Sequence, residues 1–239
     1  MLTYIKNNIE IIIFYILVII LILIILYRNW KTLIDDENGI NRLDAIIYIN
    51  LENSDEKKEL LFKELVKLNT NMNKVHKING ICISKNGYKN CIQSHILALK
   101  MIKDKKWNRV LILEDDIKLN MNPDRFNDLL NRSFDSLDNQ QPNWNVIMLS
   151  TSNTIFNNKI EPININIISN DIKEPLQIKK IINATSSSAY IVNNNYVDNI
   201  LKLFNNNTKQ LILDEKWSEL QIKDNWFALN KDPIVQRKL

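Results

Sequence analysis

Val110-Leu111-Ile112-Leu113 runs directly into Glu114-Asp115-Asp116, so four large apolar side chains give way to three carboxylates with no spacer. A short run that is apolar at every position, not at every second one, suits a strand buried on both faces. Such a strand needs neighbours in a sheet and a layer over each face, which points to an α/β domain. The acids then stand at the strand's carboxyl end, the edge of an open α/β sheet where ligands bind.

The surrounding sequence fits that architecture. Ala45 to Asn50 is a second apolar run, Val75 to Ile78 a shorter one, and Trp144 to Leu149 and Ala189 to Val192 complete the set of expected strands. Helical stripes lie between them. Ser54 precedes Asp55 and Glu56 as an N-cap, with Leu60, Leu61, Leu65 and Leu68 following at helical spacing. Tyr88, Ile92, His95, Ile96, Leu99 and Ile102 predict a helix over 89–103. Asn122-Pro123-Asp124 opens another, with proline at its first position, and 196–204 reads as a helix. The Asn-rich stretch 153–179 predicts loops with short strands. Strands alternating with helices predict a mostly parallel sheet flanked by helices.

Ile11 to Tyr27 carries no charge and is apolar throughout. At about 1.5 Å per residue such a helix spans roughly 25 Å, slightly under a ~30 Å hydrocarbon core. Tyr4 and Trp30 flank it, Lys6 and Arg28 can snorkel, and Arg28-Asn29-Trp30-Lys31 lacks the small residues of a cleavage site. The expected organisation is a tail over 1–10, a transmembrane helix over 11–27, a polar linker over 28–41 and a globular domain over 42–239. The protein is thus expected to be a single-pass membrane protein.

Composition removes several function classes. A net charge of +4, with no basic arm, argues against a nucleic-acid partner. The two cysteines, Cys82 and Cys91, form neither a zinc pattern nor a disulfide framework. The three glycines, Gly39, Gly80 and Gly87, make no phosphate-cradling loop, which disfavours a phosphoryl transferase.

Three adjacent acids repel one another unless a positive charge neutralises them. A hard divalent cation does so and keeps positions open for phosphate oxygens, and a metal-bound diphosphate is a better leaving group. The same residues also suit a solvated strand end, with Asp116 in a turn. Both readings stand on these residues alone.

Further segments bear on the choice. In chain order, Tyr48-Ile49-Asn50-Leu51, the set Gly87, Cys91 and Ser94-His95, the run Leu111 to Ile117, Trp144 to Leu149, Ala189-Tyr190-Ile191-Val192, Asp214 and Pro233-Ile234-Val235-Gln236 resemble motifs of glycosyltransferase family 25. That is the lipopolysaccharide and procollagen galactosyltransferase-like group. The resemblance covers nearly all of the chain beyond the linker. It implies a GT-A type nucleotide-diphospho-sugar transferase fold. It also implies hexosyl transfer, of galactose or glucose, from a UDP-sugar with Mn2+ or Mg2+, to a glycan, lipid or protein hydroxyl. By motif position, Asp116 and Glu114 become metal ligands. Asn50, Leu51, Ser94, His95 and Asp115 become donor contacts, and Asp214, with Glu215 and Asp224 behind it, the base that takes the acceptor's proton; Asp214-Glu215 before Trp217 and Leu220 suit the start of a helix equally well.

Some positions depart from the family pattern. Glu52-Asn53-Ser54 stands where an arginine is usual, with Lys57-Lys58 only later; Tyr88 replaces an acid, Asn145 an aspartate and Ser188 a histidine. These departures raise an alternative, a catalytically decayed membrane protein that serves as a binding module. Trp217 and Trp226 suit either a sugar-stacking face or the core.

Overall fold

The computed structural model describes residues 13, 15–27, 37–81, 87–165, 175–205 and 216–237. The chain divides into two units, Met1–Asn38 and Gly39–Leu239. In the first, residues 13 and 15–27 are helical (α1) and exposed, apart from half-buried Val18. Among the described residues no helix is long and apolar enough to cross a membrane. Residues 11, 12 and 14 of the expected span lie outside the described set.

The second unit opens earlier than the charge pattern implied. Gly39–Arg42 forms a 3-10 turn, and Ile40 and Leu43 are fully buried. Gly39 has φ +55°, and a Cβ there would lie 2.2 Å from Asn127 Oδ1. The Asn131 and Asn127 side chains accept from the backbone N–H of Gly39 (2.8 Å) and Ile40 (3.0 Å). Part of the expected linker therefore belongs to the folded domain.

Its strands are β1 (Ala45–Asn50), β2 (Val75–Asn79), β3 (Arg109–Glu114), β4 (Ile117–Leu119), β5 (Val146–Met148), β6 (Ser152–Phe156), β7 (Ile163–Ile165), β8 (Leu176–Thr185), β9 (Ala189–Asn193), β10 (Trp226–Leu229) and β11 (Ile234–Gln236). The helices are α2 (Asp55–Lys67), α3 (Gly87–Lys105), α4 (Pro123–Gln140), α5 (Asn194–Asn205) and α6 (Ser218–Lys223). Among the described residues the main sheet has nine strands in the order β2-β1-β3-β9-β5-β10-β8-β6, with β7 also on β8.

The expected α/β class holds, but the sheet is mixed and not mostly parallel. β1 pairs parallel with β2 and β3, and β5 with β10; β9 lies antiparallel between β3 and β5, and β8 is antiparallel to β10, β6 and β7. The cause is a missing crossover. Only residues 186–188 separate β8 from β9, and the chain enters β9 beside the carboxyl end of β3, with Ala189 opposite Leu113. Returning to the other edge for parallel pairing would need a helix-length connection.

β3 is buried on both faces, as its composition requires. Leu111 and Leu113 enter one core and Val110 and Ile112 the other. α2 and α4 supply Leu61, Leu65, Phe126 and Phe134 to the first; α3 and α5 supply Ile96, Leu99, Val197 and Ile200 to the second. Trp217 and Trp226 also fill the second core, fully buried and 5.2 Å apart, so neither offers a sugar-stacking face. Asn122 caps α4 by accepting from Asp124 N–H at 2.9 Å, and Pro123 takes the first position. Ser54 makes no such side-chain bond at α2; its carbonyl accepts from Asn50 Nδ2 instead.

Beyond β3, the antiparallel ribbon β4–β11 pairs Ile117 with Gln236 and Leu119 with Ile234. It brings the end of the chain back to the three acids.

Candidate active site

Glu114 is the last residue of β3, and its N–H donates to Ser188 O at 2.8 Å. Its carboxylate is enclosed by protein donors. Ser187 Oγ donates to Oε1 at 2.6 Å, His95 Nε2 stands 3.5 Å from the same oxygen, and Gln236 Nε2 donates to Oε2 at 3.3 Å. Burial pushes this carboxyl up, but the hydrogen bond from His95, the Ser187 hydroxyl and the Lys57 ammonium together bring it below its ordinary range. The turn that delivers Ser187 is strained. Ser186 has φ +92°, and its hydroxyl lies 2.9 Å from that of Ser188.

Asp115 is held from the β1 side. Asn50, at the end of β1, donates one amide hydrogen to Asp115 Oδ2 at 2.9 Å and another to Ser54 O at 3.0 Å. Lys57 Nζ on α2 lies 3.8 Å from Asp115 Oδ1, with side-chain exposures of 39% and 13%. Gly80 completes this corner: its N–H donates to Asn50 O at 2.9 Å, and a Cβ there would lie 3.1 Å from Leu51 Cδ2.

Asp116 differs. Its backbone carbonyl accepts from Arg237 N–H at 2.7 Å, yet its side-chain Oδ1 is buried and has no hydrogen-bond partner among the described residues. Burial raises the proton affinity of this carboxyl above the ordinary range; the negative charges of Glu114 and Asp115 add to the rise and Lys57 opposes it.

The expected donor contacts separate into two groups. Leu51, 40% exposed, and Asp115 reach the surface. Asn50, Ser94 and His95 are buried and bonded to protein: Ser94 Oγ accepts from Ile81 N–H at 3.0 Å, and His95 Nδ1 lies 2.9 Å from the Tyr190 hydroxyl. These three brace the site from behind. Glu114, expected as a metal ligand, has its carboxylate taken up by Ser187, His95 and Gln236, whereas Asp116 Oδ1 has no donor among the described residues. Asp214 and Glu215 lie outside the described residues, as does Cys82.

Ser187, Lys57 and Tyr190 are site residues that their residue types did not announce. Lys57 was visible only as a displaced basic residue after the arginine position. The departure at Asn145 keeps the acceptor an aspartate would supply, since its Oδ1 accepts from Asn225 N–H at 2.8 Å. A groove of about 630 Å³ runs along α2 past Phe62, Val66 and Arg237; none of the three acids lines it.

Among the described residues no group of three or more His, Cys, Asp or Glu is arranged to hold a metal unaided. The orphaned Asp116 oxygen nevertheless fits a divalent ion that takes one carboxylate from the protein and its other ligands from donor phosphates and water.

Among curated proteins, none matches the sequence. By structure, the chain is similar to a glycosyltransferase involved in the glycosylation of the major capsid of PBCV-1, at 10% identity and TM-score 0.45, covering 82% of this chain and 93% of that one. It is also similar to A197 from STIV, at 9% identity and TM-score 0.45, covering 80% and 83%. A third similar structure is a mannose-1-phosphate geranyltransferase from Thermus thermophilus, at 7% identity and TM-score 0.39, covering 81% and 73%. Likenesses this remote bear on neither substrate nor mechanism. Residues 83–217, more than half of the chain and including α3, the carboxylate run and β9, match the family described as glycosyltransferase family 25 (LPS biosynthesis protein). The chain therefore belongs to glycosyltransferase family 25, and is a glycosyltransferase.

Proposed function

We propose that the protein moves a hexose, galactose or glucose, from a UDP-sugar to a hydroxyl of a glycan, lipid or protein, in a reaction that depends on Mn2+ or Mg2+. The observation that carries this reading is the buried, unpartnered Oδ1 of Asp116 at the carboxyl end of β3. Asp116 would hold the ion, which when bound neutralises the donor diphosphate and improves it as a leaving group.

The chain's own groups divide the remaining work. Lys57 sets positive charge beside Asp115, where phosphate oxygens or sugar hydroxyls are attracted. Asp115 spends one oxygen on Asn50 and offers the other to a donor hydroxyl. Glu114 stays ionised and fixed, and its field favours a cation at Asp116. Asp214, with Glu215, is assigned by motif position as the base that accepts the acceptor hydroxyl's proton. The apolar run Ile11 to Tyr27 serves as a single-pass anchor that keeps the domain near membrane-bound acceptors.

The test is release of UDP by the full chain from UDP-galactose and UDP-glucose, with and without Mn2+. Release is expected with the ion and not without it. Full activity in Asp116→Ala contradicts the assigned metal role. Metal-dependent donor binding with no turnover on any sugar supports the alternative, a decayed binding module.

A further inference from the structure

His95 and Tyr190 are two buried polar side chains, 1% and 0% exposed, that touch no part of the surface. They form a chain that ends on the carboxylate run. Tyr190 on β9 places its hydroxyl 2.9 Å from His95 Nδ1, and His95 Nε2 on α3 stands 3.5 Å from Glu114 Oε1. The rings of His95 and Tyr190 stack at 5.7 Å and 26°, and Trp217 braces Tyr190 edge-on at 4.9 Å and 76°.

The direction of each hydrogen bond follows from the chemistry. The Glu114 carboxylate can only accept, so the contact at Nε2 needs the hydrogen on that nitrogen. In a neutral ring Nδ1 then carries the lone pair and accepts from the Tyr190 O–H, whose proton burial holds in place. The opposite tautomer would donate from Nδ1 to the Tyr190 oxygen and turn a lone pair towards Glu114, leaving the carboxylate without that donor.

We propose that His95 is a positioning residue of the transferase site: backed by Tyr190, its Nε2–H holds Glu114 against the sheet, so that the ion is left to Asp116. The proposal rests on the transferase reading above and adds to it the group that keeps Glu114 from competing for the ion. Groups that orient carboxylates near a metal commonly alter metal affinity or activity by about 10- to 100-fold when removed.

The full chain labelled with 15N-histidine tests this directly. The sequence holds two histidines, His76 and His95, so a His76→Gln control assigns the spectrum. The expected result is an Nε2–H tautomer for His95, and a mixture of tautomers in Tyr190→Phe. The Mn2+ concentration for half-maximal UDP release should rise about tenfold in Tyr190→Phe. His95→Gln, whose amide N–H can still reach Glu114, should retain more activity than His95→Ala. An Nδ1–H tautomer, an unchanged metal requirement in Tyr190→Phe, or equal losses in His95→Gln and His95→Ala would each overturn the proposal. A wild-type chain that releases no UDP overturns the transferase reading instead, while the tautomer spectrum, recorded without donor, still judges the relay by itself.

Discussion

Glu114 and Asp116 are separated by one residue and sit in opposite surroundings. Glu114 is surrounded by donors from α3, the 186–188 turn and β11, and holds its proton less tightly than a free carboxyl. Asp116 is also enclosed, but one of its oxygens has no donor among the described residues, and it holds its proton more tightly. Two carboxylates with different surroundings have different roles. The satisfied one stabilises the fold, and the unsatisfied one is the ligand proposed above for the ion. A buried orphan oxygen costs stability in the free protein, and proteins tolerate this at functional sites.

The contrast can be broken from either side. The largest effect is expected from Asp116→Asn, which should reduce metal-dependent UDP release by about a hundredfold or more. Steady-state kinetics at saturating donor would measure it. Next comes Glu114→Ala, which strips the acceptor from the Ser187, His95 and Gln236 donors and should lower unfolding stability by about 2 kcal/mol in urea titration. Lys57→Met removes an exposed partner of Asp115 and should weaken donor binding by about threefold, an effect that fades in high salt. The smallest effect is on Asp116 in the absence of donor. Asp116→Asn should raise unfolding stability slightly, by about 0.5 kcal/mol at neutral pH, although it is the variant expected to lose the most activity.

The pH dependence separates the two acids further. Glu114 has a lowered folded-state value, so its contribution is present above the ordinary carboxylate pKa and disappears as pH falls through the lowered value. Asp116 has a raised value, so its protonated form favours the fold at low pH, and that contribution disappears as pH rises through the raised value. The stability gain of Asp116→Asn should therefore shrink in acid, while the penalty of Glu114→Ala should shrink only at lower pH. Melting curves across the acid range would show the two limbs.

The sequence made one side of this contrast easier to read than the other. β1 and β3 were legible because residues buried on both faces leave an unbroken apolar run, and α3 and α4 because their stripes recur at helical spacing. β8 was not, because Lys179 and Lys180 interrupt its apolar positions and its partners lie on separate strands. The direction of β9 was hidden because it depends on the short 186–188 turn and not on composition. The acids themselves were evident, but their division of roles was not. It depends on Ser187, 73 residues from Glu114, on Gln236, 122 residues away, and on the absence of any such partner for Asp116 Oδ1. No local pattern encodes contacts at that separation.

Calorimetric titration of the full chain with UDP, with and without Mn2+, in wild type and Asp116→Asn side by side, tests the central claim most directly. Heat of binding should appear only when the ion is present and only in the wild type. Equal affinity of Mn2+ and UDP for both proteins would contradict the assignment of Asp116 as the carboxylate that holds the ion.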